Sequence, residues 1–163
     1  MTLGDLLLEN RIVFLQGEIH TGNANELVMK LLYLQSENKK KDINFYLNSP
    51  GGDVFEAQAI ATQLDQWPSG VKVQIDGVAA SAASYLATFG DEIEIAKGGM
   101  MMLHNPWGSA VGDAGEMRAT AELLDKITAT LAGAYADRSG QSLDSVRAAM
   151  EAETWLSADE AVD

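Results

Sequence analysis

The stretch "DINFYLNSPGGDVFEAQAIATQLDQWPSGVKVQIDG", Asp42 to Gly77, holds one complete folding unit. "DINFYLNS" is an apolar, aromatic-rich run that reads as a buried strand ending at Asn48. "SPGGD" breaks it as a turn, and Asp53 with Glu56 three residues later marks a helix start. Ile60, Leu64 and Trp67 then lie on one side of that helix until Pro68-Ser69-Gly70 stops it. "VKVQIDG" returns to strand alternation. A helix linking two strands of one sheet carries the chain back to the end it left, so the strands run parallel.

The same alternation extends outward from this unit. Upstream, "RIVFLQG" (Arg11 to Gly17) is a short apolar run with a glycine stop, which predicts a strand. "NANELVMKLLYLQSEN" opens with Asn23 and Glu26 in capping-box spacing and carries Leu27, Leu31 and Leu34 at helical spacing. Downstream, side chains shrink through "GVAASAAS", Gly77 to Ser84, before Tyr85, Leu86 and Phe89 suggest a short helix. "DEIEIAK" and "GMMMLHN" follow as strand candidates, divided by Gly98-Gly99. Glycine-rich "PWGSAVGDAG" precedes a helical pattern from about Glu116 to Arg138; "SGQS" ends it, a helix restarts at Leu143, and Ser157 with Glu160 caps another. Repeated strand–helix order predicts an α/β fold with a largely parallel sheet and right-handed crossovers. No internal repeat or linker interrupts the 163 residues, which predicts one domain.

Composition removes several function classes. A formal charge of −13 argues against nucleic acid, whose phosphates require a Lys/Arg surface. The basic run Lys39-Lys40-Lys41 sits between helix and strand and reads as a solvated turn. With no cysteine there is no disulfide, thiolate nucleophile or Cys-ligated zinc. No apolar run is long enough to span a membrane, and "MTLGDLLLENR" lacks the signature of a signal peptide, so a cytoplasmic protein is expected.

Ligands of open α/β sheets bind beyond the carboxyl ends of the parallel strands. Two loops are expected to meet there, Ser49-Pro50-Gly51-Gly52 and Gly77 to Ser81. Gly51 and Gly52 can present backbone N–H groups to an oxyanion, although a plain tight turn would use the same residues. Ser81 is a candidate nucleophile on a strand-to-helix turn; an N-cap is the simpler reading, and Ser84 is its rival. Of the two histidines, His20 reads as surface, and His104 ends a strand before Asn105-Pro106, where a general base could sit. Spacing does not choose an orienting acid among 24 Asp and Glu.

"LLENRIVFLQGEI", "NSPGGDVFEAQAI", "DGVAASAASYL", "MMMLHNP" and "TWLSADEAVD" resemble, in order and spacing, the proteolytic subunit of the caseinolytic (Clp) protease family, its phage and prophage members in particular. The resemblance implies a crotonase-like spiral of βα units with a projecting handle helix. The handle falls at about residues 106–139 and the core at about 1–105 and 140–163. It implies a serine endopeptidase without metal or cofactor that cleaves unfolded polypeptides or peptides inside an oligomeric chamber. Ser81 falls on the family's nucleophile, His104 on its histidine, and Gly51 and Ala82 on its oxyanion donors, with Gly52 supporting the loop. Glu153 stands where the family carries its catalytic aspartate; Glu151, two residues earlier, is the rival acid.

The implied partners are further copies of the chain in a seven-membered ring, single or stacked, and an ATP-driven unfoldase. The family's ring-coupling Asp-Arg pair is replaced here by Glu151-Ala152. The N-terminal gating loops and the last strand have no counterpart between Met1 and Asp163. Three other functions stay open at this point: an inactive ring subunit with an assembly or regulatory role, a phage prohead maturation protease, and a crotonase-like acyl-CoA enzyme. The last leaves Ser81 and His104 without a role. A Ser-Lys peptidase sharing "NSPGG" is disfavoured because no lysine stands in a matching place.

Overall fold

A computed structural model describes residues 1–163. In chain order the elements are α1 (Leu3–Glu9), β1 (Ile12–Gln16), α2 (Thr21–Asn38), β2 (Ile43–Ser49), α3 (Val54–Asp65), β3 (Val71–Ala80), α4 (Ala82–Ala87), β4 (Glu92–Ile95), β5 (Met100–Leu103), α5 (Ala114–Ser139), α6 (Leu143–Glu151), β6 (Thr154–Ser157) and α7 (Ala158–Val162). They divide into two compact units, Met1–Met102 with Trp155–Asp163, and Leu103–Thr154.

The first unit holds the sheet, ordered β1-β2-β3-β5-β6, with β4 pairing with β3 off that path. The ladders joining β1 to β2, and β3 to β2, β4 and β5, are all parallel, which is the α/β class expected from the alternation. Side chains alternate across each strand. Val13 and Leu15, Ile43, Phe45 and Leu47, and Val71, Val73 and Ile75 are all buried. With Leu27, Leu31 and Leu34 of α2 and Ala57, Ile60, Ala61 and Leu64 of α3 they form the core. On the alternate positions Phe14 stacks against Tyr46, the residue opposite it in β2, with ring centroids 5.3 Å apart. Burial pushes the phenol of Tyr85 in α4 upward in pKa, although its hydrogen bond to Gln58 of α3 opposes the shift.

Several boundaries differ from the expectation for identifiable reasons. Helix α2 begins at Thr21, not Asn23, because the imidazole of His20 accepts the N–H groups of Gly22 and Asn23 and so serves as N-cap. Asn23 completes a capping box with His20, and Glu26 instead pairs with Lys30 at 2.6 Å. Trp67 lies beyond α3 rather than on it; its ring is buried and its N–H donates to the Lys41 carbonyl. Phe89 lies beyond the end of α4 and meets Tyr85 edge-on. Helix α1 and strand β6 are elements that periodicity alone does not reveal. The lysine turn is exposed, as its composition suggests. Below it the guanidinium of Arg11 donates to the carbonyls of Asn38, Lys41 and Asp42, closing the C-terminal end of α2.

The second unit is helical. Helix α5 starts from a capping box of Asp113 and Glu116, two residues before the apolar pattern begins. Its buried residues, Leu131, Ala132 and Tyr135, all lie in its C-terminal half, and α6 buries Val146 and Met150. No helix of either unit is long and apolar enough to cross a membrane.

Because Phe45 is fully buried in the middle of β2, Phe45→Ala should lower the unfolding free energy by about 3–5 kcal/mol in urea titration. A loss below about 1 kcal/mol would mean that β2 is not at the centre of the core.

Candidate active site

The site is prepared by an irregularity between β2 and β3. From the pair Leu47↔Ile75 to the pair Ser49↔Ala79, β3 advances four residues while β2 advances two. The two extra residues, Asp76 and Gly77, bulge out of the ladder. Asn48 fills the gap with its side chain, whose Oδ1 accepts the Val78 N–H at 3.1 Å. A Cβ at Gly77 would lie 2.6 Å from that oxygen, so only glycine lets Asn48 lie there undisturbed. Beyond the bulge β3 changes neighbour, and Val78, Ala79 and Ala80 pair with Met100, Met101 and Met102 of β5. The segment expected to be a loop from Gly77 is therefore strand up to Ala80, with only Ser81 left to make the turn into α4.

Ser81 makes that turn with φ 57 and ψ −128. For a residue with a Cβ this conformation costs on the order of 1–3 kcal/mol, and such strain concentrates at functional positions. Its N–H donates to the Met102 carbonyl at 2.9 Å, extending the β3–β5 pairing by one bond. Its side chain makes no capping bond to α4, so the N-cap reading does not account for it. Ser84, the rival, is fully buried and donates its hydroxyl to the Ser81 carbonyl at 2.7 Å.

The loop of Gly51 and Gly52 meets this turn. A Cβ on Gly51 would lie 2.7 Å from the Ser81 Cβ and 2.8 Å from the Ala80 carbonyl oxygen, so the two backbones approach with no room for a side chain. Gly51 has φ 98 and Gly52 φ 149, both in territory that favours glycine. The loop is fastened from outside by Ile19, whose N–H donates to the Gly51 carbonyl at 2.8 Å and whose carbonyl accepts the Asp53 N–H at 3.0 Å. Asn23 clasps the residues on either side of Ile19, donating to the Glu18 carbonyl and accepting the His20 N–H. Asp53 then caps α3 through the Glu56 N–H. The Ala82 amide, the first of α4, has no carbonyl within its own helix to bond. Gly51, Gly52, Ser81 and Ala82 thus form one backbone cluster in the first unit.

His104 and Glu153 come together in the second unit. His104 Nδ1 lies 3.6 Å from a Glu153 carboxylate oxygen, the imidazole 18% and the carboxyl 60% exposed. The Asn105 and Glu153 N–H groups both donate to the Met150 carbonyl, which ties the two segments to the end of α6. Glu153 reaches its position through φ 52, the left-handed conformation that follows a helix C-terminus and that usually calls for glycine. Glu151, the rival acid, is the exposed last residue of α6. No group of three or more His, Asp or Glu side chains is gathered closely enough to hold a metal ion.

Ile19, Asn23 and Asn48 brace this site, whereas the sequence offered Asn23 only as a helix start and Asn48 only as a strand end. Ile19 acts through its backbone and leaves no signal in residue type.

The model of the family described as Clp protease matches the chain over residues 1–163. A protein of Rhodopirellula baltica described as ATP-dependent Clp protease proteolytic subunit 1 is 40% identical over 168 residues, covering 99% of this chain and 72% of its own length. The subunit 1 of Leifsonia xyli subsp. xyli is 35% identical, covering 98% of this chain and 82% of its own. The proteolytic subunit of Ligilactobacillus salivarius is 34% identical, with coverage of 96% and 81%.

If Glu153 occupies its left-handed position for the sake of its carboxylate, glycine should fit the backbone better. Glu153→Gly is expected to hold or raise folding stability, by up to about 1 kcal/mol, while lowering peptide turnover. Loss of stability together with unchanged turnover would assign Glu153 a purely structural role.

Proposed function

The chain belongs to the Clp protease family, and from that premise we propose how its own residues carry out the reaction. It is a Clp-type serine peptidase, a hydrolase of peptide bonds. Ser81 Oγ attacks the carbonyl carbon of the scissile peptide as its proton passes to Nε2 of His104. The carbonyl π pair moves onto oxygen, and the Gly51 and Ala82 N–H groups bind the resulting oxyanion. Collapse of the tetrahedral adduct breaks the C–N bond, and the imidazolium gives its proton to the departing amine. Water, deprotonated by the same imidazole, then attacks the acyl-Ser81 ester; a second collapse releases the new carboxylate and returns the proton to Ser81. Glu153 faces Nδ1 and its charge stabilises the imidazolium between these steps.

The strained Ser81 turn packed against Gly51 is the observation that carries this reading, since neither a cap nor a core role accounts for it. Strand-to-helix turns of this kind expose a serine oxygen in other hydrolases. Further support comes from connectivity, because His104 follows by two residues the Met102 carbonyl on which the Ser81 amide is held. Small side chains at Ala79, Ala80 and Ala82, all buried, let the end of β3 and the start of α4 pack closely around the Ser81 turn.

We also propose that the working form is a ring of several copies, to which unfolded polypeptide is fed by an ATP-driven partner. The relatives' description as proteolytic subunits of an ATP-dependent protease supports this. A second reading, an assembled but catalytically idle subunit, draws on one observation. The Glu153 carboxyl is 60% exposed and stands 3.6 Å from the imidazole, longer than a hydrogen bond.

Labelling with a fluorophosphonate or a β-lactone tests the assignment. Modification is expected at Ser81 alone, and Ser81→Ala or His104→Ala should lose several orders of magnitude in turnover. Undiminished labelling of Ser81→Ala would overturn it. Intact rings of the unaltered protein without peptide turnover would favour the idle subunit.

A further inference from the structure

Ser49 closes β2 with its side chain fully buried. A hydroxyl taken out of water must find a partner, and the one its oxygen accepts is the Gly51 N–H at 3.1 Å. That amide is one of the two oxyanion donors in the reading above, on which this inference rests. The remaining bonds of the loop leave its direction unspecified. Ile19 fixes the Gly51 carbonyl, which belongs to the peptide plane after Gly51. The N–H belongs to the plane between Pro50 and Gly51. Rotation of that plane meets little resistance at a residue without a Cβ, and Pro50 has no N–H with which to anchor the turn.

We propose that Ser49 is a positioning residue whose hydroxyl aims the Gly51 N–H at the developing oxyanion. One N–H can be shared by two acceptors. As the substrate oxygen gains negative charge it takes the larger part of that bond, because charge-assisted hydrogen bonds are the stronger ones. Ser49 touches neither substrate nor reacting atom; it acts by keeping the donor from turning away. Its contribution therefore falls on the transition state and not on substrate binding.

The test compares Ser49→Ala with the unaltered protein, both assembled, with turnover divided by the amount of Ser81 that a fluorophosphonate labels at its end point. The variant should lose about tenfold or more in kcat, a part of the loss expected for removing a whole donor. KM and the inhibition constant of a product peptide should stay within about twofold. Affinity for a peptide boronic acid, which forms a tetrahedral adduct, should fall by the same factor as kcat/KM. A purely structural role would alter the labelled fraction or the product affinity and spare this parallel. Ser49→Cys keeps the volume with a poor acceptor in a chain otherwise free of cysteine, and carries the same test if the alanine variant does not assemble. Unchanged kcat per labelled site overturns the proposal, and so does a rise, which would make Ser49 a competitor of the oxyanion. Absence of labelling at Ser81 in the unaltered protein would instead overturn the reading beneath it.

Discussion

The chemical end of the sheet depends on how closely two backbone turns approach, at Gly51 and at Ser81. No further side chain fits between them, so Gly51 packs directly on the Ser81 Cβ and the Ala80 carbonyl at the end of β3. A peptide N–H held in place, as the Ser49 hydroxyl holds that of Gly51, is a fixed dipole that needs no reorganisation when charge develops. The two strands bring the turns together only because β3 slips its register against β2. The Asn48 side chain stands in for the missing ladder bond. On the outer side, Ile19 in the segment between β1 and α2, and Asn23 in α2, hold the glycine loop against that contact. Backbone bonds of Ile19 together with side-chain bonds of Asn23 and Asn48 thus link the packed core to the glycine loop and the end of β3.

The parallel sheet was legible from the order of patterns in Asp42–Gly77, because buried strands and amphipathic helices differ in apolar period. Leu27, Leu31 and Leu34 show the helical period, and Val71, Val73 and Ile75 the strand period. Features built from backbone geometry were not legible. The left-handed turn at Ser81 leaves no trace in residue type, since a serine before a short helix is an ordinary N-cap. His20 concealed the true start of α2 because an imidazole is an uncommon cap. The bulge at Asp76-Gly77 looked like the end of a strand, since a glycine ends strands more often than it lets a neighbouring side chain replace a ladder bond. Ser81 and His104 were candidates from their places at strand ends, resemblance to a family then gave them the roles of nucleophile and base, and the geometry of each was read within its own unit.

Two of the three non-glycine residues with positive φ, Ser81 and Glu153, are the proposed nucleophile and acid. Arg11, the third, uses its conformation to bring a guanidinium onto the end of α2. In each case the backbone cost supports a side chain whose placement has a stated purpose. Sites of this kind trade stability for function, and replacements that relax the backbone reveal the trade. The Glu153 carboxyl stands 3.6 Å from the His104 imidazole, on a left-handed residue that remains largely in water.

The most direct measurement is the structure of the assembled protein after reaction with a fluorophosphonate. The phosphorus should be bonded to Ser81 Oγ, with its phosphoryl oxygen about 2.7–3.1 Å from both the Gly51 and the Ala82 nitrogen. A phosphoryl oxygen turned to solvent, or held by groups other than these two amides, would contradict the central claim.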